Sequence, residues 1–261
     1  MKEKRLSTRD IAFMAVFAAL YVVSSLLPGI PIVGLPELKI ELEAALASIF
    51  GIVLGPYLGF STALLGTLIA WILPPGQGSV YGLPFLLNPS INALMSGFIY
   101  TGRWREAFAI FAGFVIGFMF TPVCQPIQNF YYVWFAGVWD KVIAMLLILP
   151  ISRSLKSSPR LVSRFTFFSL LAFVGNQADG MFGNIIFATP PVYEGIFTLS
   201  LEITRGLYLV SPFFYPAIRV IQAILAGLIA VPLMRALTSV GLVGHWKRPV
   251  SPEVGVGGAS E

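Results

Sequence analysis

The sequence predicts an all-α protein: a polytopic membrane helical bundle with a six-span core, up to eight hydrophobic segments and both termini on the cytoplasmic side. Three observations carry this reading. Hydrophobic residues make up 57% of the 261-residue chain and charged residues 11%, whereas soluble domains are near half apolar and about a quarter charged. A soluble fold of 28.4 kDa cannot cover its surface while hiding that much Phe, Leu, Ile and Val. The apolar residues also gather into runs near the roughly 20 residues that a bilayer core demands, and the basic residues fall mostly between alternate runs.

The runs lie at 11–28, 42–56, 57–74, 84–100, 107–124, 134–151, 165–187 and 213–239. The first follows a charged stretch and is too long for the apolar core of a cleaved signal peptide. It reads as a retained helix capped by Ser7 or Thr8, with Asp10 in its first turn. The second is short and is parted from the third only by Gly55-Pro56-Tyr57, so the pair forms a tight hairpin or a partly re-entrant element. Pro84 and Pro89 interrupt the fourth. Gln125, Gln128 and Asn129 line a short outer connection between the fifth and the sixth, and the sixth carries Asp140 and Lys141. The seventh contains Asn176-Gln177-Ala178-Asp179-Gly180, and the eighth carries Arg219. Two longer outer loops, Pro28–Glu41 and Pro190–Pro212, are candidate lids, the latter with apolar residues suited to a short surface helix.

Orientation follows from Lys and Arg. With the N-terminus inside, the inner face collects Lys2, Lys4, Arg5, Arg9, Arg103, Arg105, Arg153, Lys156, Arg160, Arg164, Arg235, Lys247 and Arg248, thirteen of the chain's 17 basic residues. Outer loops hold Lys39 and Arg205, and Lys141 and Arg219 fall inside runs. Such a split is the positive-inside pattern and favours N-in, C-in with an even number of spans. The net charge of +5 is thus an inner-face bias that needs no nucleic-acid partner.

Several chemistries are excluded. One cysteine and one histidine, His245, rule out a disulfide framework, a multi-thiolate metal site and a histidine cluster. There is no Gly-rich phosphate loop, so ATP hydrolysis would belong to other subunits. No catalytic residue, metal or cofactor is expected. Nor is there an internal repeat of the kind that marks many channels and two-halved transporters.

Polar groups within apolar runs are costly and usually face a cavity, a partner or one another. Glu43, Asn88, Asn92, Asn176, Asp179, Asn184 and Arg219 come from distant parts of the chain yet share the outer half of the bundle. Their convergence predicts an outward-open polar pocket. Asp179 and Arg219 read either as a structural ion pair or as ligand-lining groups. Aromatic residues crowd the outer rim, mostly as interface anchors, with Trp71, Trp134 and Trp139 the better placed to stack on a solute ring. Outer acidic groups outnumber basic ones, which tilts the ligand towards a cationic or zwitterionic molecule unless local pairing decides otherwise.

Small residues mark close helix contacts. Ala12, Ala15 and Ala19 belong to one such set, Ala15 and Ala19 sharing a face. Gly51, Gly55, Gly59 and then Gly66 form another. Either set serves packing within the bundle or a face for a partner subunit.

Ile11-Ala12-Phe13-Met14-Ala15-Val16-Phe17-Ala18-Ala19-Leu20, followed by Phe50-Gly51-Ile52-Val53-Leu54-Gly55-Pro56-Tyr57-Leu58-Gly59-Phe60, resembles the substrate-binding S components of energy-coupling factor (ECF) transporters. Gly183-Asn184-Ile185-Ile186-Phe187, Pro216-Ala217-Ile218-Arg219-Val220-Ile221 and Ala230-Val231-Pro232-Leu233-Met234-Arg235-Ala236-Leu237 extend the resemblance to residue 240. It implies a six-span subunit that captures a vitamin or other micronutrient at the outer face of the cell membrane. It also implies a transmembrane coupling subunit and two cytoplasmic ATPase subunits as partners, the first meeting Ala15 and Ala19, with Ala12 flanking. On this reading residues 1–240 form an integral membrane substrate-binding domain in contact with membrane lipid, and 241–261 a disordered cytoplasmic tail. The eight runs exceed six, and no run identifies the solute. An autonomous ion-coupled secondary transporter and a membrane scaffold without a small ligand remain as alternatives.

Overall fold

The computed structural model describes residues 7–27, 29–32, 35–40, 44–74, 76–156, 164–210 and 212–242. The tail from 243 and Glu43 lie outside them. Helix α1 (Thr8–Ser24) starts where the sequence places a cap. The Ser7 hydroxyl accepts from the Asp10 N–H at 3.2 Å, and the Asp10 carboxylate accepts from the Ser7 N–H at 3.1 Å, a reciprocal capping box. The stretch read as the first outer loop contains the strands β1 (Ile30–Ile32) and β2 (Leu35–Ile40), an antiparallel pair. Prolines at 31 and 36 bar a helix here, while Ile and Leu suit an extended chain.

Helices α2 (Ala44–Leu54) and α3 (Pro56–Ile72) are joined by Gly55 alone. Gly55 has φ of +83° and Pro56 opens α3, so a left-handed residue followed by a pre-set φ reverses the chain at once. A 3-10 turn, Leu83–Phe85, leads into α4 (Asn88–Tyr100). Helix α5 (Trp104–Met119) is followed by α6 (Ile127–Lys156), which begins seven residues before the predicted run and absorbs Gln128 and Asn129 into helix. Helix α7 (Arg164–Phe187) precedes α8 (Pro190–Tyr193) and α9 (Leu201–Val210), which occupy the second predicted loop, and α10 (Phe214–Ser239) follows.

Two sets of contacts show that the helices alternate in direction. At one end, the Arg103 Nη1–H donates to the Tyr57 hydroxyl at 3.0 Å, and the guanidinium lies 4.5 Å from the Phe98 ring centre. The α2–α3 and α4–α5 turns therefore share that end. At the other, Arg205 of α9 donates to the carbonyls of Pro122, Val123 and Gln125 at 3.2, 3.0 and 2.6 Å and caps the Phe130 ring at 3.4 Å.

Helix α4 packs against α2, α3 and α7, and α10 packs along α7. The α2–α3–α4 seam is closed by glycine. A Cβ on Gly51 would run into the Ala93 carbonyl, one on Gly97 would lie 2.6 Å from Pro56, and one on Gly59 would lie 2.8 Å from the Gly51 backbone. Gly66 admits Tyr21 of α1. The glycine series thus serves packing within the bundle. The alanine set differs: α1 buries Phe17, Ala18 and Tyr21, while Ala12, Ala15 and Ala19 are exposed.

The exterior is apolar over wide areas: Val16, Ile116, Phe120, Leu146, Leu228 and Phe213 all stand exposed. Ile127–Leu155 and Phe214–Ser239 are long and apolar enough to cross a membrane by length and composition. Helix α7 has 24 residues, but Asn176, Gln177, Asp179 and Asn184 dilute its apolar run.

Candidate functional site

The polar residues of the bundle meet on α7. Three glycines of this helix stand where another helix sends a polar side chain across it. A Cβ on Gly175 would collide with the Asn92 Oδ1 and Ser96 Oγ atoms of α4, one on Gly183 would come within 2.7 Å of Asn88 Nδ2, and one on Gly180 would touch Arg219 of α10 at 3.4 Å. The glycines let amides and a guanidinium lie directly on the α7 backbone.

From α4, the Asn92 Nδ2–H donates to Asn176 Oδ1 at 2.6 Å, and the Ser96 hydroxyl donates to Asn92 Oδ1 at 3.2 Å. All three residues are fully buried. Asn88 hydrogen-bonds the Asp179 carboxylate. From α10, Arg219 Nη1 stands 3.7 Å from Asp179 Oδ2 and donates to Gln222 Oε1 at 3.1 Å. From α6, Lys141 Nζ lies 2.9 Å from the carboxylate of its neighbour Asp140, both buried. Two carboxylates and two cations thus sit in one apolar bundle, where each is tolerable only because another neutralises it. The predicted acidic excess does not extend into this cluster, and Glu194 and Glu202 are exposed.

Of the residues singled out in the sequence, Asn88, Asn92, Asn176, Asp179 and Arg219 come together here. Asn184 lies two turns further along α7, its Nδ2–H donating to the Gly137 carbonyl of α6 at 3.0 Å. The three tryptophans are tied to backbone carbonyls: Trp71 to Ser79 at 2.8 Å, Trp134 to Val115 at 3.3 Å and Trp139 to Pro212 at 3.1 Å. Their indole N–H groups hold loops and neighbouring helices. Gln177, Gln222 and Ser96 were not singled out, although Gln177 lies inside the marked run of α7. Several buried polar atoms have no partner among the described residues, including Asn88 Oδ1, Asn176 Nδ2 and both amide atoms of Gln177. A polar core with unspent donors and acceptors is chemically suited to holding a small polar molecule. Among the described residues, no group of acidic, His and Cys side chains is arranged to hold a metal.

Apart from the short β1–β2 pair, the fold is a helical bundle with a buried polar cluster at its heart. Residues 5–190 match the family described as ECF-type riboflavin transporter, S component, and the chain belongs to that family. Members of that family are membrane-embedded, non-catalytic subunits of transporters. The matched region holds α1 to α7, while Arg219 and α10 lie beyond it. The chain is also 28% identical, over 154 residues, to an uncharacterized protein of Methanocaldococcus jannaschii, covering 57% of this chain and 48% of that protein. It therefore spans about half the length of that relative. No solved structure matches it.

Proposed function

We propose that the chain is the solute-capturing subunit of an ATP-driven importer, that its solute is riboflavin or a closely related flavin, and that the solute enters from the outer face. The observation that carries this reading is the buried cluster of Asn88, Asn92, Asn176, Asp179 and Arg219. It lies in an otherwise apolar bundle, nearer the end that the distribution of Lys and Arg assigns to the outside. The charges cancel within the cluster, which favours an uncharged, hydrogen-bonding solute over an ion. Both termini lie in the cytoplasm, and α2, about 16 Å long at 1.5 Å per residue, pairs with α3 as a short hairpin beside a six-span core. The exposed face of Ala12, Ala15 and Ala19 supports docking of a transmembrane coupling subunit, which with two cytoplasmic ATPases supplies the energy.

The test is titration of the protein, reconstituted in lipid nanodiscs, with riboflavin, followed by quenching of flavin fluorescence. Saturable one-to-one binding that Arg219→Ala abolishes, in a variant that remains folded, supports the proposal. Absence of binding by the wild-type protein overturns the choice of solute, and binding indifferent to Arg219 and Asp179 overturns the site.

A further inference from the structure

Gln177 is completely buried, yet neither its Oε1 nor its Nε2 has a partner among the described residues. An amide orphaned at both atoms, in a helix set in lipid, forfeits more hydrogen bonding than any other side chain of the cluster. The α4 side of the cluster is already engaged, since Asn92, Ser96 and Asn176 Oδ1 satisfy one another. Helical spacing places Gln177 on the same face as Asn184, seven residues on, and Asn184 donates to α6. Gln177 therefore looks towards α6, at the level of Asn176, whose Nδ2 is also unspent.

A primary amide presents a donor and an acceptor side by side. The group that returns both at the same spacing is a ring N–H next to a ring carbonyl, the edge of a cyclic amide or imide, as when Asn or Gln reads adenine through two parallel bonds. We infer that Gln177 is the specificity-determining residue of the solute site and grips the N–H/C=O edge of a heterocyclic ligand, with Asn176 Nδ2 as a second donor to the ring. This rests on the solute-capture reading above and adds to it which edge of the ligand the site reads.

The experiment compares riboflavin with riboflavin methylated on its ring imide nitrogen, each titrated into nanodisc-reconstituted wild-type, Gln177→Leu and Gln177→Glu proteins. Methylation is expected to weaken binding to the wild type about ten-fold or more, the worth of one to two buried hydrogen bonds. Gln177→Leu removes the orphaned atoms, so it folds at least as well. It should bind unmodified riboflavin about ten-fold or more weakly and no longer distinguish the two flavins. Gln177→Glu keeps the shape but replaces the amide NH2 by a carboxyl oxygen, and should also weaken binding. If Gln177→Leu discriminates as the wild type does, the inference is overturned while the capture reading stands. If the wild type binds neither flavin, the flavin reading itself falls and takes this inference with it.

Discussion

Arg219 reaches Asp179 across the α10–α7 interface at 3.7 Å while donating to Gln222 at 3.1 Å. One guanidinium thus serves a charge on a neighbouring helix and an amide on its own. Removing either charged partner strands the other inside the bundle. Asp179→Asn and Arg219→Ala are each expected to destabilise the protein by about 3 kcal/mol or more, and the double variant by less than the sum. Thermal unfolding in detergent of the four proteins of that cycle checks this.

The glycine seam gives a sharper contrast. A Cβ on Gly51 has nowhere to go but into the Ala93 carbonyl, whereas one on Gly113 meets nothing within 4 Å. Gly51→Ala should cost about 1–3 kcal/mol, and Gly113→Ala should stay within about 0.5 kcal/mol of wild type. Unfolding in a graded mixture of denaturing and mild detergents measures both.

At the opposite end from the polar cluster, ahead of the apolar run of α5, Arg103 donates to Glu106 at 2.9 Å. That hydrogen bond, the largest influence on the group, holds the Glu106 carboxyl below its usual value of 4.5. A lowered carboxyl contributes stability that is present above the unfolded value and fades as pH falls through the folded one. The wild type should therefore lose this contribution below about pH 4.5, and Arg103→Ala should show a flatter acid limb. Melting temperatures between pH 3 and 6 are the measurement.

Within the proposed assembly, Ala15→Leu and Ala19→Leu place bulk on an exposed face of α1 and leave the buried side of Phe17, Ala18 and Tyr21 untouched. Both should bind riboflavin as the wild type does, yet fail to co-purify with the coupling subunit. Loss of flavin binding in these variants would instead mean that this face of α1 belongs to the fold.

Apolar run length placed the main helices in the sequence, because lipid-facing and core-facing residues are alike and leave continuous runs. The α1 cap was legible for a different reason, since Ser7 and Asp10 stand at the spacing that one turn of helix requires. The start of α6 was not, because Gln128 and Asn129 break the run while remaining good helix residues near a membrane surface. The β1–β2 pair was hidden too, as so short an extended pair between prolines resembles any loop. In the candidate site, Asp179 and Arg219 stood out by charge, and the asparagines by their depth. The role of Gly175, Gly180 and Gly183 had no signature, since a glycine reveals close approach only once the neighbour is known. The tryptophan indoles met carbonyls 8, 19 and 73 residues away, pairings that no local pattern encodes.

Where the α2, α3 and α4 backbones touch through Gly51, Gly59 and Gly97, no flexible side chains lie between them to rearrange. Helices in such contact cannot slip past each other by a residue without driving a carbonyl into a neighbour, so they travel as one block. The opposite flank is held by long side chains: Arg205 on its carbonyls, Trp139 on Pro212, and Tyr208 donating to the Asn184 carbonyl at 2.9 Å. Those links can swing or let go one at a time. The bundle thus joins a backbone-to-backbone wall at the glycine seam to a flank, α9 and the N-terminal end of α6, that is held only through side chains.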